Sequence, residues 1–309
     1  MVEEMRSADS AREIPPRRFR MPSVVVLIQI AFLLLVAAIA GGVCWSAHSR
    51  LAFMAKIKAA GGNVTTSPTA PHWLRMTIGV ELTRAFDDVT SVSWPDAVDD
   101  QFVRIAKFGS IEKLSLHHPK LTFKGYAALQ SISGLTTLSI TDTTLSDAEF
   151  EILSEMRSVR ELTLEGSTVD DRSLLFLIRE MSLTSLDVDS TSVSDVSLKE
   201  LAKMNNLHYL SLRMTKVTND GVRLLAFLPE LKYLEVSDTH VTPEAFETPG
   251  GFAKLTYLYL SNTRTTDDSL FKLLHLPSLE FILASGTQVT KFGSERLNQV
   301  KGRRFVSNQ

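Results

Sequence analysis

The sequence predicts an α/β solenoid, a stack of strand–turn–helix coils, preceded by one helix long enough to span a membrane. Three observations predict it. A 24-residue period runs without insertion from Ile111 towards the C-terminus. Within each period the apolar spacing changes from two to three and four. Upstream, "VVVLIQIAFLLLVAAIAGGVCW" runs from Val24 to Trp45 with no charged residue.

The chain has 309 residues, 44% hydrophobic and 22% charged, with net charge −2, enough for one large or two ordinary domains. A balance this close to neutral offers no global attraction for nucleic acid, so no nucleic-acid partner is expected. The single cysteine, Cys44, excludes an internal disulfide and any multi-cysteine metal site.

Residues 1–21 form a basic tail carrying Arg6, Arg12, Arg17, Arg18 and Arg20, and 22–45 the expected transmembrane helix, a signal anchor. A helix over Val24–Trp45 rises about 33 Å, against roughly 30 Å of bilayer hydrocarbon. The five arginines before it outnumber Arg50, Lys56 and Lys58 after it, which favours an inside N-terminus and a single-pass protein with an extracytoplasmic body. "AIA" at Ala38–Ala40 offers the alternative of signal-peptide cleavage, but the apolar run exceeds a usual h-region of about 7–15 residues. Either route exports the same body.

Residues 46–88 are expected to form a helical N-terminal cap. "LAFMAKIKAAGGNV" ends at a glycine pair typical of a helix C-terminus. Pro68 and Pro71 mark a loop, and "HWLRMTIGVELTRAF" reads as an amphipathic helix. Residues 89–110 then resemble a degenerate coil two residues short.

Eight 24-residue segments begin at Ile111, Leu135, Val159, Leu183, Leu207, Leu231, Leu255 and Leu279. Their fourth places run from Leu114 to Ile282 and their sixth from Leu116 to Ala284, the alternation of a strand with one buried face. The twelfth places, Thr122, Ser146, Asp170, Ser194, Thr218, Thr242, Thr266 and Thr290, suit helix N-caps. Asp147, Asp171, Asp195 and Asp267 follow, placing negative charge at the positive end of each helix. The ninth place is a hydroxyl in seven of eight segments, from Thr143 to Thr287. Stacked hydroxyls can both donate and accept, so the column is expected to satisfy turn backbone groups from coil to coil.

This pattern, "LxxLxLxxTxVTDxxLxxLxxLxx", resembles the leucine-rich repeat family over residues 89–302, in a bacterial form with Thr or Ser where many members carry Asn. The resemblance implies a right-handed solenoid with a curved parallel sheet on the concave face and helices on the convex one. It also implies a non-catalytic protein-binding module without cofactor, its ligand lying on the concave strand residues. The lead-in "PHWLRMTIGVELTRAFDDVTSVSW" resembles that of anchored bacterial members. Terminal units must hide an apolar face; Ala284 and Ser294 suit the last unit, and 303–309 form the C-terminal tail. Segment 231–254 departs from the pattern: Pro249, Gly250 and Gly251 replace helix positions, so a short turn is expected there.

Candidate ligand-binding residues follow from the third place, which faces away from the core. It reads Tyr209, Tyr233, Tyr257 and Phe281 in the last four coils, with Tyr259 on the same face two residues beyond Tyr257. With strands about 4.8 Å apart these make an aromatic column some 15 Å long. Asp187 and Glu235 join from the fifth place, and Glu165, Asp189 and Arg213 from the seventh. Such a stripe suits a protein partner, because Tyr supplies contact area at low entropy cost; an envelope-organising or glycan-binding structural role is the alternative. Cross-strand aromatic pairs that only stabilise the sheet give the same pattern.

Catalytic constellations are poor. His117 and His118 adjoin on a strand and should point to opposite faces, so they are read with Asp142 as solvated turn residues and not as a metal site. Phosphate-cradling loops, "GxSxG" and "HExxH" are all missing from the sequence, and no enzyme is expected.

Overall fold

The computed structural model describes residues 24–79, 83, 87–105, 111–301 and 304–306. The chain divides into two compact units, Met1–Arg50 and Leu51–Gln309. Helix α1, Val24–Ala59, occupies the described part of the first and enters the second. Among the described residues no helix is long and apolar enough to cross a membrane. The backbone of the apolar run is helical, but most of its side chains, like the basic tail, lie outside the described residues.

The second unit is built on one eleven-stranded sheet in which spatial order equals chain order. Its strands are β1 Asn63–Ser67, β2 Asp88–Pro95, β3 Lys113–His117, β4 Thr137–Thr141, β5 Glu161–Thr163 and β6 Ser185–Asp187. They continue as β7 Tyr209–Ser211, β8 Tyr233–Glu235, β9 Tyr257–Tyr259, β10 Phe281–Leu283 and β11 Arg304–Val306. After β1 come helix α2 His72–Ile78 and, between successive strands, α3 Asp99–Ile105, α4 Phe123–Leu129, α5 Asp147–Ser154 and α6 Asp171–Glu180. The later helices are α7 Asp195–Leu201, α8 Asn219–Leu224, α9 Asp267–Phe271 and α10 Lys291–Lys301.

All neighbours from β2 to β11 pair in parallel, and from β3 to β10 in a register of 24, as in Leu114↔Leu138 and Leu210↔Leu234. The fourth- and sixth-place side chains form the interior column that the period demands, each at most 1% exposed. Burying a leucine to this degree is worth about 1.5–3 kcal/mol, and each coil obtains it only from its neighbours.

At the N-terminal end α1 closes as expected. Gly61 is left-handed at φ 79°, and the Gly62 amide donates to the Ile57 carbonyl at 2.9 Å. Phe53 and Ile57 are buried, Phe53 edge-on to Trp94 with ring centroids 5.5 Å apart. The cap also holds a strand that the helical reading did not include. β1 pairs antiparallel with β2 and covers that edge of the parallel ladder. Helix α2 ends at Gly79, φ 89°.

The hydroxyl column works differently from expectation. Thr191, Thr215, Thr239, Thr263 and Thr287 each donate to the sixth-place carbonyl of their own coil, at 2.5–2.6 Å. Ser167 instead reaches the neighbouring coil, donating to the Ile140 carbonyl at 3.2 Å and accepting from the Thr143 amide at 3.3 Å. The reason lies one place earlier. His118, Asp142, Gly166, Ser190, Met214, Asp238, Asn262 and Gly286 are all left-handed, φ 45–69°. That conformation aims the eighth-place amide at the next coil's seventh-place carbonyl, as in Ser190→Arg213 at 2.8 Å. Backbone already bridges the coils there, which leaves the hydroxyls to brace each turn internally.

The N-caps stand at the predicted places. Asp170 accepts from the Ser173 amide at 2.9 Å, Thr266 from the Ser269 amide at 3.2 Å, and Ser146 with Glu149 forms a reciprocal capping box. The following aspartates do more than face a helix dipole. Asp195 accepts from the amide and hydroxyl of Thr218 in the next coil, at 2.8 and 2.6 Å. Asp171 does so from Ser194 and Asp267 from Thr290. In segment 231–254 a 3₁₀ turn, Pro243–Phe246, replaces the helix. Phe246 and Phe252, rings 4.9 Å apart and at most 1% exposed, fill the space its leucines would occupy.

Candidate interaction surface on the outward strand face

Alternation along β7–β10 turns the third and fifth places away from the core, and the register of 24 sets them side by side. The rings of Tyr209 and Tyr233 stack, centroids 4.3 Å apart at 17°. The tight series then passes through Tyr259, 4.7 Å from Tyr233, and on to Phe281 at 5.5 Å. Tyr257 stands beside it, 6.3 Å from Tyr233 and 6.1 Å from Phe281, and is 43% exposed. The third-place column foreseen from the sequence is thus bent: the fifth-place Tyr259 fills the gap, because both places project from the same side of β9. All five predicted aromatics come together.

Asp187 and Asp189 adjoin this stack at its Tyr209 end, and Glu235 stands in register with Tyr259. Asp187 accepts from the Asp189 amide at 3.0 Å, and Glu235 from the Ser237 amide at 2.7 Å. Asp189 accepts from the Ser211 hydroxyl at 2.5 Å and the Arg213 amide at 2.8 Å, so it also bridges two coils. Burial pushes the Asp187 carboxyl up to about 7, reinforced by the nearby Asp189 and Glu165 carboxylates and opposed by the Asp189 amide. Burial likewise raises Asp189 and Glu235 above the ordinary carboxylate range, against hydrogen bonds that lower them. Tyr209 is raised by burial and then by Asp187, and Tyr233 by burial and its Tyr259 contact. Both phenols therefore stay neutral. Arg213 is engaged at the strand end, its Nε donating to Asp238 at 2.9 Å, a bond that raises its pKa further.

The two adjacent histidines depart from the sequence reading. His118 occupies the left-handed eighth place, so strand alternation stops at His117 and the two rings lie on one side, centroids 4.0 Å apart. Asp142 approaches from the next coil, its Oδ2 3.2 Å from His117 Nδ1. The sequence signal for this turn was the recurrence of Asp, Asn and Gly at the eighth place, residues that tolerate positive φ. A separate concavity of about 400 Å³, lined by Met181, Glu200, Lys203 and Met204 among others, lies on the loops that leave the helices.

Two solved structures are similar to part of this chain. An internalin (inlF) structure from Listeria monocytogenes str. 4b F2365 is similar over 70% of this chain and 59% of that one, at 17% identity and a TM-score of 0.49. An internalin C2 (inlC2) structure from the same organism is similar over 59% and 74%, at 24% identity and a TM-score of 0.45. This chain therefore spans under two thirds of the first of these structures. No curated protein matches the sequence. The leucine-rich repeat region profile matches residues 98–302, the same residues whose interior columns and 24-residue register are described above. With two thirds of its length under that profile and every coil built on the repeat's buried positions, the chain belongs to the leucine-rich repeat family.

Proposed function

We propose that the protein is a single-pass, membrane-anchored, non-catalytic interaction module that holds a protein partner on its outward strand face, outside the cytoplasm. One observation carries this reading: Tyr209, Tyr233, Tyr257, Tyr259 and Phe281 form a continuous aromatic surface on adjoining strands. Rigid aromatic surface of this kind supplies binding area without ordering long side chains. Glu161, Glu165, Asp187, Asp189 and Glu235 occupy outward places on or just beyond β5, β6 and β8, whereas Arg213 is already paired. Charge complementarity selects a partner segment that combines lysine or arginine with apolar side chains. The uncharged run Val24–Trp45 supports the anchor, and the excess of arginine before it supports the orientation.

Exposure of Tyr257 favours a second reading, an envelope-organising or glycan-binding role, since an open aromatic face also accepts a sugar ring. The test compares the full-length chain with the triple variant Tyr209→Ala, Tyr233→Ala, Tyr257→Ala. Both are presented to solubilised membrane proteins and, separately, to purified envelope polymer. Loss of protein capture with an unchanged circular dichroism spectrum is expected. Unchanged capture would remove this surface from consideration, and retention on polymer alone would favour the second reading.

A further inference from the structure

The turn after β3 holds a cluster separate from the aromatic face. One donor atom from each of His117, His118 and Asp142 lies within 4.8 Å of the other two. The His117 Nδ1–Asp142 Oδ2 separation of 3.2 Å is close to the edge of a tetrahedron whose metal–ligand bonds are about 2.0–2.1 Å. All three residues are exposed, and His117 Nδ1 also lies 2.8 Å from the Thr141 hydroxyl, a contact that a bound ion would replace.

Neighbouring groups hold the donors in place. His118 Nδ1 lies 3.1 Å from the Asp142 carbonyl oxygen, which can only accept. That bond puts the proton on Nδ1 and leaves Nε2 as the basic nitrogen, the arrangement by which backbone carbonyls commonly orient metal-binding imidazoles. The Asp142 carboxylate packs over Gly166 of the next coil, where any Cβ would overlap Oδ1, so its other oxygen is turned towards His117. Lys120, two places beyond His118, is engaged by Asp96 at 3.0 Å.

We infer that His117, His118 and Asp142 form a site for one divalent transition-metal ion of the zinc class. Two imidazoles with one carboxylate suit zinc, nickel or copper better than magnesium or calcium, which prefer all-oxygen sites. Three protein donors leave a coordination position open to water or to a donor from another molecule. The inference is independent of the aromatic surface.

The experiment uses the untagged full-length chain in detergent, with Zn²⁺ followed by isothermal titration calorimetry and Co²⁺ by visible absorption. One ion per chain is expected. His118→Gly removes an imidazole while suiting the left-handed backbone, and Asp142→Asn keeps the packing on Gly166, so neither should unfold the turn. Each should weaken binding at least about tenfold, whereas His240→Gln, in another coil, should leave it unchanged. Absence of saturable binding by the unaltered chain, or equal binding by His118→Gly and Asp142→Asn, would overturn the assignment.

Discussion

A single backbone angle at the eighth place of each coil governs what several side chains can do. Because that residue is left-handed, its amide reaches the next coil, the ninth-place hydroxyl turns inward, and His118 folds back over His117. A strict period of two carried through this place gives the wrong orientation for His118, although Asp142, Gly166, Asp238, Asn262 and Gly286 mark the turn in the sequence. Asp187 gives a prediction at the same scale. Its folded-state pKa of about 7 lies above its ordinary value of 3.8, so the native state holds the proton more tightly than the unfolded chain. The resulting stability is fully present below about pH 3.8 and is lost as pH rises through about 7. Between pH 4 and pH 8 the unaltered protein should lose roughly 1–2 kcal/mol relative to Asp187→Asn, a figure reduced for solvent screening. Urea unfolding across that range measures it, and parallel pH profiles for the two proteins would refute it. Periodicity placed Asp187 on the outward face but could not show its burial beside Asp189 and Tyr209, which depends on three coils at once.

Among the elements, the helices are coupled through their first turns. The thirteenth-place carboxylate of one coil holds the next coil's cap residue, and that coil's fifteenth place is small wherever the carboxylate reaches it. Gly125 lies against Asp99, Ser197 hydrogen-bonds Asp171, Gly221 lies against Asp195, and Gly293 against Asp267. Glu149 stands at the fifteenth place where Phe123 occupies the thirteenth place of the preceding coil. Asp147 faces a carboxylate cap, Asp170, and pairs instead with Arg172 at 2.9 Å. Gly221→Ala should therefore destabilise the protein by about 1–3 kcal/mol through overpacking, although helix propensity alone favours alanine by about 1 kcal/mol. Chemical denaturation decides the sign; a stabilised variant would show that the contact with Asp195 is unimportant. The caps and the aspartates were readable from the sequence because a cap and the helix start it serves lie within a few residues of each other. Their link to the following coil was not, since it joins residues 23 apart by a distance only the stacked geometry reveals.

For the molecule as a whole, the fixed register specified the interior from Leu114 to Ile282, since pairing each coil with its counterpart 24 residues on buries all those residues. Terminal units were less legible. β1 carries no repeat signature, and its antiparallel pairing with β2 depends on an edge that exists only once the stack has formed. The aromatic surface was legible residue by residue, but the path through Tyr259 emerged from packing across β8, β9 and β10. If coils are equivalent units, removing one whole coil should shorten the molecule without destroying it. Deleting residues 183–206 joins Ser182 to Leu207 and sets Asp171 beneath Thr218 and Gly221, the same partners that Asp195 has now. The most direct measurement is urea unfolding of this variant beside one lacking only residues 183–194. The 24-residue deletion should unfold in one cooperative transition with an m-value reduced by roughly a tenth, and the 12-residue deletion should show no cooperative transition. Equal loss of cooperativity in both would contradict the account of the protein as a stack of interchangeable coils.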